Sequence, residues 1–219
     1  MIPSRFFLCG PTASGKTALA LALAEAWDGE IVNGDAFQIY RGLEILSAAP
    51  SGEEQAACPH YLFGVIGSAE SMDAAKYAAL ANPVIEEIES RGKTAIVVGG
   101  SGLYLKFLTH GIAKAPPGDE GIRAELEDWA VDQIYERLEE LDPDEAMRQN
   151  PQNRRHLSRA LEICLVTGGK ASKLRQNFGD PTLLEGLKGI VLNWPREMLA
   201  ERIALRTRIM LNSGAINEV

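Results

Sequence analysis

Cysteine and histidine are scarce. Three cysteines (Cys9, Cys58, Cys164) and three histidines are scattered over 219 residues. An odd number of distant cysteines makes no disulfide frame, and no Cys/His group has the spacing of a zinc site. Reduced thiols are expected, and no metal cage made by the protein alone. Long apolar runs are also missing. No stretch approaches the roughly 20 residues that cross a bilayer, and the N-terminus has no basic region followed by an apolar core and a cleavage site. A cytoplasmic protein without a membrane partner is expected, a monomer being favoured. Positive charge is in deficit as well: the net charge is −8, which taken alone argues against a nucleic-acid partner.

What is present modifies that last point. Asp119–Glu145 holds twelve acids and two arginines, so this one segment carries more than the whole net negative charge. Directly after it, "RQNPQNRRHLSR" (Arg148–Arg159) has four arginines and no acid. Such a run is first of all a solvated helix face, yet a local basic stripe is usable for phosphate contacts. Apolar residues make up 46% and charged residues 24%, enough core for one domain with a smaller subdomain.

Apolar runs at Arg5–Cys9, Glu30–Ala36, Tyr61–Ile66 and Thr94–Gly102 alternate with helical stretches at Gly15–Trp27, Asp73–Arg91 and Leu103–Thr109. This order predicts an α/β fold, a parallel sheet with helices on both faces. Pro83 predicts a kink or break in the second helix. Beyond "KAPPGD" (Lys114–Asp119) the chain to about Gly168 is helical and charged; a strand-like run returns at Lys188–Trp194, followed by a helix over Pro195–Asn212. The expected organisation is a P-loop α/β core over 1–114, a helical insertion over 115–185, and a return to the core over 186–219.

"GPTASGKT" (Gly10, Pro11, Thr12, Ala13, Ser14, Gly15, Lys16, Thr17) satisfies G-x-x-x-x-G-K-[ST] in full, between a strand and a helix. The glycines let the backbone curl so that its N–H groups point inward, and the following helix adds its positive end. Lys16 supplies charge to phosphate oxygens, and Thr17 offers a hydroxyl to Mg2+ held by them. The pattern is nucleotide-binding in the general sense and identifies a polyphosphate rather than a reaction. ATP is the common ligand, while a prenyl diphosphate presents similar oxygens. Asp35, just past the second strand, falls at the crevice of such a sheet. It can take a proton from an incoming nucleophile, hold Mg2+ through water, or cap a turn. Gln38 suits the edge of a base. Ser101, after the glycines that end the fourth strand, offers a hydroxyl there or caps the next helix.

Together "GPTASGKT", "DAFQIYRGLEI", "PHYL" (Pro59–Leu62), "VVGGSGLYLKFL" (Val97–Leu108), Leu141–Gly168 and "ERIALRTRIMLNSG" (Glu201–Gly214) stand in the order found in the tRNA dimethylallyltransferases, or tRNA isopentenyltransferases. The resemblance spans nearly the whole chain. It implies a prenyltransferase that modifies tRNA, moving a dimethylallyl group from dimethylallyl diphosphate to the exocyclic amine of an adenine beside the anticodon, with Mg2+ and no ATP hydrolysis. It implies that Gly10–Thr17 binds the diphosphate and that Thr17 holds the metal. Asp35 is implied as the base, Ser101 as a hydroxyl near the reacting centre where threonine is usual, and Arg206 as a contact to the leaving group. Asp35 and Gln38 are implied to meet the adenine, and Arg154, Arg155 and Arg159 the tRNA. There are departures: Asn33-Gly34-Asp35-Ala36 replaces the usual Ser-Ala-Asp-Ser, Ala49 stands where lysine is usual, a few residues are missing beside Ala130, and relatives run on past residue 219. Rival readings are an adenylate isopentenyltransferase acting on free nucleotides, an ATP-dependent P-loop kinase of a small metabolite, and a nucleotide-gated RNA-binding module.

Overall fold

A computed structural model describes residues 2–111, 116–176 and 186–218. The chain forms two compact units, one from residues 1–110 and 181–219 and the other from residues 111–180.

The first unit is built on strands β1 (Arg5–Cys9), β2 (Gly29–Asn33), β3 (His60–Tyr61), β4 (Thr94–Gly99) and β5 (Gly189–Val191), all parallel, in the order β3-β2-β4-β1-β5. The α/β class with a parallel sheet is as the sequence predicts. Alternate residues of a strand face opposite sides, and the core divides accordingly. Phe6, Leu8, Ile31, Ile96 and Val98 meet Ala20 and Ala24 of helix α1 (Lys16–Trp27). Phe7, Val32, Ala95 and Val97 meet Tyr77, Ala78, Ala81, Ile85 and Ile88 of a long helix (Ala74–Ser90) and Tyr104 and Leu108 of another (Gly102–His110). Burying each large apolar side chain contributes about 1.5–3 kcal/mol, so both faces hold the sheet. Two short helices, α2 (Glu44–Ser47) and α3 (Gly52–Ala57), lie between β2 and β3, which makes the Ala74–Ser90 helix α4 and the Gly102–His110 helix α5.

Two expectations need correction. Tyr61–Ile66 is not a strand throughout: β3 is two residues long, and Ile66 makes only an isolated bridge with Tyr40. The positive φ of Leu62 (65°) and Gly64 (58°) turns the chain away from the ladder. Pro83 does not break its helix, and α4 runs unbroken from Ala74 to Ser90. Asp73 caps it through the N–H groups of Ala75 and Lys76, at 2.9 and 2.8 Å. The buried row from Tyr77 to Ile88 outweighs the roughly 3 kcal/mol that an interior proline costs.

The second unit is helical: α6 (Glu120–Glu127), α7 (Val131–Leu141), α8 (Pro143–Arg148), α9 (Arg154–Thr167) and α10 (Ala171–Gln176). Its core is Leu126, Ile134, Leu138, Ala146, Leu157, Leu161 and Cys164. The buried Asp142 holds it at the centre, accepting from Ser172 N and Oγ, both at 2.8 Å. The chain returns through β5 to α11 (Arg196–Asn212) and a closing 3-10 turn (Ala215–Glu218) in the first unit.

Candidate active site

In a parallel sheet the C-terminal strand ends face one crevice, and here three strands deliver functional groups to it. After β1 the chain enters the Gly10–Thr17 loop. Ala13 (φ 60°) and Gly15 (φ 95°) take left-handed conformations that curl the backbone. Gly15 caps α1 without a side-chain bond, and the first turn of α1 carries no acid, so its free N–H groups and positive end are left to an anion. Lys16 Nζ donates to the carbonyls of Gly10 (2.9 Å) and Pro11 (2.7 Å), which keeps the ammonium inside the loop. Thr17 follows at the start of α1.

After β2, Asn33 organises the turn that carries Asp35. Asn33 Oδ1 accepts from Asp35 N (2.8 Å), and Asn33 Nδ2 donates to the carbonyls of Asp35 (3.1 Å) and Leu62 (2.9 Å). Tyr77 donates its hydroxyl to Asn33 O at 2.5 Å and stacks on Tyr104 with ring centres 4.1 Å apart. Burial pushes the Tyr77 hydroxyl well above its usual range and Tyr104 up to about 12, so both stay neutral and Tyr77 remains a donor. Asp35 Oδ1 accepts from Phe37 N at 2.9 Å. That bond fixes the carboxylate's direction and leaves Oδ2 to a substrate.

After β4, Gly99 lies so close to Gly34 that a Cβ would overlap the Gly34 backbone. This approach carries Ser101 to the Asp35 turn, where its Oγ accepts from Ala36 N at 2.8 Å. Ser101 thus braces the base loop rather than capping α5.

These groups line one cavity of about 460 Å3: Gly10, Pro11, Thr12, Lys16, Asp35, Ser101 and Arg206 form its polar side, and Phe37, Leu46, Ile203 and Met210 its apolar side. An adjoining cleft of about 510 Å3 shares Lys16 and Arg206 and is lined by Ala13, Ser14, Gly15 and Thr17. Every residue expected to bind diphosphate or act in catalysis therefore borders this double cleft. Burial lowers the affinity of Lys16 for its proton; the Asp35 carboxylate opposes that effect and the Arg206 cation adds to it. The charge of an arriving anion would offset both the desolvation of Lys16 and its repulsion by Arg206. A polar cradle joined to an apolar wall fits a molecule with a phosphorylated end and a short hydrocarbon end.

The structure redirects several expected RNA contacts. Gln38 Nε2 is spent on the carbonyls of Ser47 (3.2 Å) and Ala48 (2.8 Å) at the end of α2, and Gln38 does not line the cavity. In the helical unit, Arg154 caps the end of α6 through the carbonyls of Leu126 (2.6 Å), Glu127 (2.8 Å) and Trp129 (2.7 Å). Arg159 pairs with the buried Glu162 at 2.6 Å and reaches Pro116 O at 2.7 Å. The Glu162 carboxyl is held below its ordinary range: burial opposes ionisation, and Arg159, Asp119 N and Arg123 outweigh it. Arg155 is exposed and has no ion pair among the described residues.

Sequence reasoning missed Phe37, 70% exposed on the cavity wall, and the pair Trp194 and Arg202. Trp194 Nε1 donates to Ser14 O (2.9 Å) and Arg202 Nε to Ala13 O (2.7 Å). Arg202 stands one helical turn before Arg206, a same-face spacing that was available as a signal.

The chain is similar to known proteins along almost its whole length. A family described as IPP transferase matches residues 38–219. A tRNA dimethylallyltransferase of Akkermansia muciniphila is 43% identical over 212 residues, covering 97% of this chain and 71% of the relative. One from Halorhodospira halophila is 42% identical over 217 residues, covering 97% and 70%. The crystal structure of the full-length tRNA isopentenylpyrophosphate transferase of Bacillus halodurans superposes with a TM-score of 0.63 at 33% identity, covering 98% of this chain and 68% of its own. A eukaryotic dimethylallyltransferase acting on tRNA gives 0.81 at 28% identity, covering 99% and 55%. With identities above two-fifths across almost its whole length, the chain belongs to the tRNA dimethylallyltransferase family of IPP transferases.

Proposed function

We propose that the chain transfers a dimethylallyl group from dimethylallyl diphosphate to the exocyclic amine of an adenine beside the anticodon of tRNA. The observation that supports this most is the convergence of an anion cradle, two cations and a half-free carboxylate on one cavity with an apolar wall. The relatives' activity on tRNA supports the acceptor.

In the reaction the allylic C–O bond breaks, a C–N bond forms, and the adenine amine loses a proton. The leaving diphosphate gathers negative charge, which the loop amides, Lys16 and Arg206 neutralise as it develops. The adenine amine is a weak nucleophile, its lone pair being shared with the ring; Asp35 Oδ2 orients it and accepts its proton. Ser101 keeps that carboxylate in place through the Ala36 amide. Leu46, Ile203, Met210 and Phe37 surround the hydrocarbon end and keep water from it. The base must leave its stack to arrive. Mg2+ fits the donor set: Thr17 is a hard oxygen ligand at the loop, diphosphate oxygens supply the others, and no His/Cys/Asp/Glu cluster among the described residues offers a rival cage. Bound there, it supplies further charge neutralisation.

The helical unit is proposed to contact RNA through Arg148 and Arg155, the exposed arginines of the 148–159 stripe, with Arg154 and Arg159 acting through the fold. No helix among the described residues is long and apolar enough to cross a membrane, which supports action in the cytoplasm, where tRNA is found. A monomeric enzyme is part of the proposal. Labelled dimethylallyl diphosphate offered with tRNA, AMP or no acceptor, with ATP consumption followed in parallel, tests the proposal. Label is expected in tRNA alone with ATP untouched; label in AMP, or ATP loss without transfer, contradicts it.

A further inference from the structure

We propose that Trp194 and Arg202 form a clamp that sets the shape of the phosphate loop and ties it to the helix carrying Arg206. Both are thereby positioning residues for the leaving diphosphate. The inference rests on the reading that this loop receives a diphosphate.

A loop whose amides point inward has carbonyls that need partners elsewhere. Lys16 takes those of Gly10 and Pro11. The next exposed pair belongs to Ala13 and Ser14, and here the donors come from far along the chain: Arg202 Nε reaches Ala13 O at 2.7 Å, and Trp194 Nε1 reaches Ser14 O at 2.9 Å. The guanidinium lies over the indole, 4.6 Å from the ring centre, so each donor orients the other. The clamp sits where the loop is most strained. Ala13 is a non-glycine residue at φ 60°, a conformation kept only when its surroundings enforce it. The neighbouring Ser14 hydroxyl does not provide that support, because its Oγ is buried without a hydrogen-bond partner.

The second half of the argument concerns α11. None of its residues is buried, so apolar packing does not fix it over the cavity. Its fixed points are polar. Arg202 holds the loop, and Arg206 Nη2 reaches Ser47 O at 3.2 Å. The turn after the helix places Glu218 against the N–H groups of Ile45 and Leu46, at 2.7 and 2.8 Å. Residues 202 and 206 share one face. A shift of the clamp therefore moves Arg206 together with the loop, and the two halves of the diphosphate site are set as one piece.

Inorganic pyrophosphate with Mg2+ is the probe, titrated by calorimetry and by tryptophan emission. Trp194→Phe keeps a ring under the guanidinium and removes only the N–H donor. Its pyrophosphate Kd is expected to rise about 2- to 10-fold, the range of one hydrogen bond, and the emission change that accompanies binding to the unaltered protein should disappear. Arg202→Lys keeps the charge and loses the planar stacking. It should raise the KM for dimethylallyl diphosphate and lower kcat, because Arg206 loosens with it, while the tRNA Kd stays within about 2-fold. The Arg202→Lys/Arg206→Lys pair should lose less than the two single losses combined. Should Trp194→Phe not fold, as judged by its melting curve, Arg202→Lys carries the same titration. Wild-type pyrophosphate affinity in a folded variant overturns the clamp. Failure of the unaltered protein to bind pyrophosphate overturns the diphosphate reading itself, and the clamp with it.

Discussion

At the scale of single residues, the base and its supports have separable tasks. Asp35→Asn preserves the shape of the side chain and its bond from the Phe37 amide, and removes the capacity to hold a proton. General base catalysis is worth about 10²- to 10⁴-fold, so kcat is expected to fall within that range while the tRNA Kd stays near its original value. Turnover within a few-fold of the original, measured by label transfer, would exclude the base role. The arginines of the 148–159 stripe divide in the same way. Arg155→Ala should weaken tRNA binding, reduce the salt slope by about one and leave the melting temperature alone. Arg159→Ala removes a charged partner from the buried Glu162. It should cost about 1.5–3 kcal/mol in stability, read by urea unfolding. A reversed pattern, with Arg155 stabilising the fold and Arg159 setting the salt slope, would contradict this division. Charge spacing revealed the stripe but not the division, since that depends on Glu162 lying at 1% exposure among its neighbours.

At the scale of elements, the site depends on how closely strand ends approach. Gly99→Ala would drive a methyl into the Gly34 backbone and separate the Ser101 and Asp35 turns. Lower stability and loss of transfer are expected together; a fully active and equally stable Gly99→Ala protein would show the approach to be unimportant. The sequence announced the strand-to-helix turns well. Glycine marks them, and the phosphate loop, Asp35 and Ser101 each follow a short apolar run, as a parallel sheet requires. It announced less where tertiary packing overrides local preference. Pro83 sits inside an unbroken α4 because the buried face from Tyr77 to Ile88 holds the helix on both sides of it. The run Tyr61–Ile66 has strand composition, yet backbone reversal at Leu62 and Gly64 ends the ladder after two residues. The spacing of Arg202 from Arg206 was legible, but the loop contacts of Trp194 and Arg202 were not, for another reason. Their partners are backbone carbonyls some 180 residues away in the chain, and no local pattern encodes an acceptor at that distance.

At the scale of the whole molecule, charge governs the response to pH. Glu30, near the start of β2 and buried, is held by Arg91 first, then by Tyr61 and Lys93, against the cost of burial, and its carboxyl titrates at about 2 instead of near 4.5. Because the folded state lowers this value, the stabilisation is present in full above about pH 4.5 and disappears as pH falls towards 2. Melting temperatures taken across that window should fall more steeply for the unaltered protein than for Glu30→Gln, which starts lower but has no such proton to bind; parallel curves would remove Glu30 from the account. The molecule's function turns on which phosphate the cradle admits, and one titration addresses that most directly. With Mg2+ present, calorimetry should show dimethylallyl diphosphate binding at one site per chain, competed by pyrophosphate and lost in Lys16→Ala, with ATP a poor competitor. Saturable uptake of ATP with no heat from the prenyl donor would contradict the account at its centre.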